Sequence, residues 1–252
     1  ADVRLMEQIR SYYAPLYARN SAVDYAGPNS DLSAYSAVLV PNLYMVRDTT
    51  AQALEQYVSG GGTLAMSFFS GIADENEHIR LGGYPAPFRR MLGLRVEELD
   101  PYIPGQQNGA QTADGSTFTC DLWSDVIDLE GATALATFTG DFYAGRPAVT
   151  QHAFGAGQAF YSGTRLSAEG MEWLLDRVLG VAGIATRSGV PATVELIERA
   201  AGAQRFLFAL NHSAAPATLP LTGTFTDALS GQDVAGEVEL GPYGVAVLRG
   251  GE

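Results

Sequence analysis

Lysine is absent from the 252-residue chain, so all 15 of its Lys/Arg positions are arginine. Against them stand 28 Asp and Glu, which leaves a net charge of −13. A surface this acidic repels phosphate backbones, and no nucleic-acid partner is expected. Cysteine occurs once, at Cys120. That excludes an intrachain disulfide and a thiolate metal cluster, and with them the framework of a small disulfide-stapled secreted protein. No apolar run approaches the roughly 20 residues of a membrane-spanning helix, so no membrane partner is expected. The first residues, "ADVRLMEQIRSYYAPLYARN", are amphipathic and lack the basic-then-apolar pattern of a secretory leader. Together these absences point to a cytoplasmic protein.

What is present is 46% hydrophobic residues against 17% charged, enough apolar material for a sizeable core and more than one domain. Val3, Leu5, Met6, Ile9, Tyr12, Tyr13, Leu16 and Tyr17 recur at helical spacing, with a kink expected at Pro15. "SAVDYAG" reads as a short strand and "SAVLVPN" as a strand of the kind buried in a parallel sheet. Asp48 is the expected N-cap of a helix over "TTAQALEQYVS", and Gly60 its stop. "GGGTLAMSFF" is a third strand, and "PFRRMLGLRV" a short helix running into a strand. "PYIPGQQNGAQTADGS" reads as an exposed loop. Strands follow at "TFTCDLW" and "ATALATFT", then a hairpin in "PAVTQHAFGAGQAFYSG" turning at Gly155 and Gly157. Ser167 caps a final helix with Glu169 in its first turn.

The pattern over residues 1–185 is that of an open α/β sheet with helices on its faces. Composition shifts at Ala185–Pro191, the expected interdomain segment. Residues 186–252 carry short alternating runs separated by turn residues, which predicts a small antiparallel β-sandwich.

The densest chemistry lies in "FFSGIADENEHIRLGGYPAP", where Asp74, Glu75, Glu77, His78 and Arg80 fall within seven positions. Glu75 and His78 have E-x-x-H spacing, but a carboxylate-bridged metal site repeats that motif on further helices, and no second copy exists. H-E-x-x-H is absent as well. Two of the acids stand close enough for a glycosidase pair, although any acidic loop meets that criterion and exposed neighbours lack the burial that raises a general acid. The readings left open are a solvated, internally paired loop and a docking loop. An amidotransferase would place its nucleophile on an elbow after "TLAMSFF"; Ser70-Gly71 stand there instead, and Cys120 lies within a strand as a small packed hydrophobe. His152 and His212 read as hydrogen-bonded strand residues. No motif calls for a cofactor or a metal.

The order of these motifs resembles one family. "MEQIRSYYAPLYARNSAVDYAGPNSDLSAYSAVLVPNLYMV" and "GGGTLAMSFFSGIADENEHIRLGGYPAPFRRMLGLRVEE" resemble the trimerisation domain of β-galactosidases of glycoside hydrolase family 42. "VELIERAAGAQRFLFALNHSAAPATLPLTGTFTDALSGQDV" and "GPYGVAVL" resemble the small β-domain that ends those enzymes. The resemblance implies an amidotransferase-like, flavodoxin-like sheet without the nucleophile, self-association as a trimer, and the segment Asp74, Glu75, Glu77, His78 and Arg80 as a candidate interface loop. It also implies that the catalytic glutamates belong to a (β/α)₈ barrel that this chain lacks, so the chain alone is expected to be inactive. The alternative is a stand-alone carbohydrate- or small-molecule-binding protein, with Trp123, Phe142, Tyr143 and Tyr161 as an aromatic platform.

Overall fold

The computed structural model describes residues 2–187 and 189–250. Of the expected interdomain segment, Ser188 lies outside the described residues. Two compact units divide the chain: Ala1–Tyr12 with Tyr25–Ala185, and Tyr13–Asp24 with Thr186–Glu252.

The elements run α1 (Leu5–Ala18), β1 (Ala37–Val40), α2 (Asp48–Ser59), β2 (Thr63–Ser67), α3 (Arg89–Leu92), β3 (Leu94–Pro101), β4 (Gln107–Thr112), β5 (Thr117–Leu129), β6 (Thr133–Phe138), β7 (Pro147–Phe154), β8 (Gly157–Ser162), β9 (Thr164–Leu166) and α4 (Ala168–Val181). They build one nine-stranded sheet of order β1-β2-β8-β7-β6-β4-β5-β3, with β9 paired to β5. Only β1–β2 and β2–β8 are parallel; the other pairings are antiparallel, so the sheet is mixed.

All five residues of β2 are buried, as its apolar run requires of a strand covered on both faces. Leu64 and Met66 share a core with Ala51, Leu54 and Val58 of α2 and with Met91 and Leu92 of α3. Their neighbours Ala65 and Ser67 turn to the other face by strand alternation. There α4 packs against β2, β5 and β9, outside that cluster. Burying Leu54 or Val58 contributes about 1.5–3 kcal/mol each. No helix among the described residues is long and apolar enough to cross a membrane.

Three local expectations are corrected, and Pro15 proves to lie inside a helix. Residues 21–27 form no strand, since only Val23 and Tyr25 favour one and the chain turns at Gly27–Ser30. Helix α1 continues through Pro15 to Ala18. That proline lies near the helix end, and buried Tyr12 and Leu16 hold the inner stripe. The N-cap of α2 is Arg47, not Asp48, and it makes no side-chain capping bond; the Asp48 carboxylate is engaged by Arg80 instead. The expected exposed loop contains β4, which pairs with both β5 and β6. Its Gln, Asn and Thr side chains hid the strand.

The second unit holds β10 (Val194–Ala201), β11 (Gln204–Asn211), β12 (Ala217–Asp227), β13 (Asp233–Leu240) and β14 (Val245–Gly250) in one antiparallel sheet of order β10-β11-β14-β12-β13. Leu196, Leu207, Ala209, Leu219, Leu240, Ala246 and Leu248 form its core. "ATLPLTG" and "TFTDALSG" join in the single strand β12, whose register with β13 shifts between Pro220 and Thr224. Gly223 sits at that break with φ +104.

Candidate functional site

The acidic segment leaves the carboxyl end of β2, where ligands and partners meet open α/β sheets. Phe68 N–H donates to the Ser162 carbonyl at 2.7 Å, continuing the β2–β8 ladder by one residue. Phe69 then adopts φ +59, an outlying conformation for a bulky side chain. It stacks on Tyr44 with ring centroids 5.0 Å apart and meets Trp123 edge-on at 5.2 Å. The strained position beyond the strand thus carries a packed ring, with no nucleophile. Ser70 is fully buried, its Oγ accepting from Leu43 N–H at 2.9 Å.

Beyond this elbow Gly71 and Ile72 donate to the Leu43 and Tyr44 carbonyls, and Ala73 bridges both Met45 and Ile79. A tight loop closes between Ala73 and Ile79. Asp74 organises it: Oδ1 accepts from the Asn76 and His78 N–H groups at 2.8 and 3.0 Å. These bonds, Asn76 first, hold the Asp74 carboxyl below its ordinary range. The His78 imidazole lies 3.5 Å from Asp74 Oδ2. Glu77 takes φ +65 to complete the turn.

The five residues do not act as one cluster. Asp74 and His78 are brought together. Arg80 turns inward, 16% exposed, donating from Nη1 to Asp48 at 2.7 Å and from Nη2 to the Val46 carbonyl at 2.6 Å. Glu75 and Glu77 stay exposed, and their carboxylates have no hydrogen bond or ion pair among the described residues. Ile79 and Leu81 are 62% and 93% exposed beside them. Among the described residues no three His, Cys, Asp or Glu side chains converge to hold a metal.

Arg80 anchors the loop, so Arg80→Ala is expected to lower the unfolding free energy by about 2 kcal/mol through loss of charge-assisted bonds. Urea titration of the two proteins checks this. Equal midpoints would show that the loop is not fastened to α2.

Other candidates resolve as structure. Trp123, Tyr143 and Tyr161 are buried and only Phe142 is exposed, so these four form no aromatic platform. Burial pushes the Cys120 thiol up to about 11, consistent with an inert packed side chain. His152 Nδ1 lies 2.9 Å from the Met91 carbonyl, and His212 Nε2 2.8 Å from Glu195.

Asp125, which sequence reasoning passed over, is fully buried in β5. Its Oδ1 accepts from Trp123 Nε1–H at 2.8 Å and its Oδ2 from the Tyr161 hydroxyl at 2.6 Å. Tyr161 in turn lies 2.9 Å from the Tyr84 hydroxyl, which accepts from Ser70 N–H. Burial raises Asp125 to about 7 against the pull of these hydrogen bonds. A Trp and an Asp two apart on a strand share a face; that spacing was the available signal.

Residues 1–185, which include all of the first unit, match the family model described as the beta-galactosidase trimerisation domain. The chain belongs to that family. Beyond the trimerisation domain, residues 193–250 match the beta-galactosidase C-terminal domain. Beta-galactosidase BgaB of Geobacillus sp. (strain Y412MC61) is 40% identical over 250 residues, 98% of this chain and 37% of the relative. A beta-galactosidase of Arthrobacter sp is 41% identical over 245 residues, 97% of this chain and 34% of the relative. The crystal structure of a beta-galactosidase from Bacillus circulans sp. alkalophilus superposes with a TM-score of 0.94 at 32% identity, over 99% of this chain and 38% of that one. The chain therefore spans little more than a third of the length of the curated relatives it matches.

Proposed function

We propose that this chain is the self-association and accessory region of a β-galactosidase, and that catalysis on terminal β-galactosides resides in a barrel outside it. The observation that carries this is the trimerisation-domain match across residues 1–185 in a chain covering 37% of BgaB. A retaining glycosidase needs two carboxyl groups facing one sugar, about 5 Å apart. Two surface depressions among the described residues each present a single carboxylate, Glu130 in one and Glu75 in the other.

In this reading the first unit forms a closed trimer, with residues 73–80 at or beside the contact. Arg80, Arg89 and Arg90 already pair with Asp48, Glu130 and Glu55 of their own subunit. The neighbour's cation for Glu75 and Glu77 is then Arg10 or Arg47, both exposed and without an ion pair among the described residues. A ring with heterologous contacts allows such a meeting of different faces. Exposed pairs add only about 0–1 kcal/mol each, so Ile79 and Leu81 supply the affinity and the acids set register.

Light scattering across concentration tests this on the native chain, on Glu75→Arg/Glu77→Arg and on Ile79→Ser/Leu81→Ser. The expected result is a trimer that the apolar pair of changes dissociates, and that the charge reversal weakens more at low salt. A trimer indifferent to both variants would remove the loop from the interface. Turnover of a chromogenic β-galactoside by the chain alone would overturn the accessory role.

A further inference from the structure

We propose that the depression between α3 and the end of β7 binds a neutral sugar. It is an open depression of about 550 Å³ lined by Ala86, Arg89, Arg90, Glu130, His152 and Phe154. That volume lies within the roughly 300–1,000 Å³ of small-molecule sites. The proposal does not rest on the assembly reading.

Each polar group on its wall is already fixed in place. Arg89 grips Glu130 with two parallel bonds, Nε to Oε2 at 2.6 Å and Nη2 to Oε1 at 2.5 Å, and a third donor reaches the Gly82 carbonyl at 2.8 Å. Arg90 is held by Glu55 at 2.8 Å and lies 5.3 Å from the centroid of the Phe154 ring. The His152 ring is wedged between two glycines. A Cβ on Gly93 would stand 2.6 Å from the imidazole, and one on Gly131 3.2 Å from Nε2. Both glycines have positive φ, +61 and +118. The His152 Nδ1 lies 2.9 Å from the Met91 carbonyl, a bond that fixes the plane of the ring. Such pre-ordering lowers the entropy lost when a ligand is bound.

The charges decide the ligand class. Arg89 with Glu130 and Arg90 with Glu55 cancel in pairs. The chain as a whole carries −13, which repels anions. What remains is a partly apolar wall of Ala86 and Phe154, one face of which Arg90 covers, beside the Arg89 fork, the Glu130 carboxylate and the His152 ring. A pyranose presents the complement: an apolar C–H face and paired hydroxyls that both donate and accept. With so few contacts, its Kd is on the order of 1 mM.

The test is a titration of the chain with galactose, lactose and, as the anion control, sodium phosphate, read on the imidazole NMR signals. The three histidines make assignment direct, by comparison with His152→Gln. The expected result is a saturable shift of the His152 signal by sugar, with His78 and His212 unmoved, and no saturable shift by phosphate. Glu130→Gln preserves shape at an exposed position and is expected to weaken sugar binding about 5- to 10-fold, with the fold checked by circular dichroism. Phe154→Ala is expected to abolish it. No saturation by either sugar at tens of millimolar would overturn the proposal. So would unchanged affinity in Glu130→Gln, or saturation by phosphate, which would make the depression an anion site.

Discussion

Changing Asp125 to Asn is expected to raise stability at about pH 8 and to flatten its pH dependence between about pH 5 and 8. Asp125 is fully buried, and its hydrogen-bond partners are Trp123 and Tyr161, with Tyr84 one step beyond. None is a cation. Burial lifts the carboxyl to about 7 from an ordinary value of 3.8. A folded-state value above the unfolded one means that the folded chain keeps a proton the unfolded chain has released. The associated stability is complete below the unfolded value and is lost as pH rises through the folded one. A shift of this size corresponds to about 4 kcal/mol over the whole range, about 3 of it between pH 5 and 8. Asp74 and Glu130, both held below their ordinary values by hydrogen bonds, act with the opposite sign and only in acid. The window above pH 5 therefore isolates Asp125 from them.

Asn retains an acceptor for Trp123 but turns an N–H₂ toward the Tyr161 hydroxyl. One hydrogen bond in the chain to Tyr84 is then rearranged, at a cost of about 1 kcal/mol. The net gain at pH 8 is about 3 kcal/mol, and at pH 5 the two proteins come within about 1 kcal/mol of each other. Urea unfolding at both pH values measures this. A native protein equally stable at the two would show that Asp125 is ionised throughout, and the argument from burial would fail.

The sheet was legible where apolar patterning is strong. "GGGTLAMSFF" became the fully buried β2, paired on both edges, whereas "SAVLVPN" became β1, a half-buried strand at the sheet's edge whose only partner is β2. "SAEGMEWLLDRVLGVAG" became α4 with Ser167 accepting from Gly170 N–H, as its cap signal required. Legibility failed where polar residues lie inside the sheet. β4 is Gln, Asn, Gly, Ala, Gln and Thr, yet it is paired on both edges. β5 runs to Leu129, past the alternating part that "TFTCDLW" displays, because the chain breaks step at Leu122 with φ +68. In the acidic loop the sequence shows the charges but not their use. Asp74 serves its own turn and Arg80 reaches back to Asp48, 32 residues away in sequence. Only Glu75 and Glu77 remain available to a partner. Asp125 looked like any polar strand residue, because burial is set by strands brought beside it from elsewhere in the chain.

Gly157 was legible as a turn residue, but its tighter constraint is visible only in three dimensions. It begins β8 and is buried against the end of α2. A Cβ there would lie 2.1 Å from the Val58 carbonyl oxygen and 2.3 Å from that of Gly62. Both are backbone atoms, so no side-chain rotation relieves the overlap. The Gly62 carbonyl accepts from Gln158 N–H at 3.1 Å, and the Ser59 carbonyl from Ala156 N–H at 2.9 Å. Relieving the clash therefore means separating the β7–β8 turn from the α2–β2 connection and breaking those bonds. Gly157→Ala is expected to cost at least about 3 kcal/mol, above the usual range for an inserted methyl because backbone must move. Gly180 supplies the opposite case. It lies in α4 with nothing within 4 Å of an added Cβ. Gly180→Ala is expected to gain about 0.5–1 kcal/mol by restricting the unfolded chain and favouring the helix. Thermal and urea unfolding of the two variants beside the native chain reads both signs in one experiment. A Gly157→Ala protein that unfolds at the native midpoint would mean that the α2–β2 connection stands further from β8 than these distances place it.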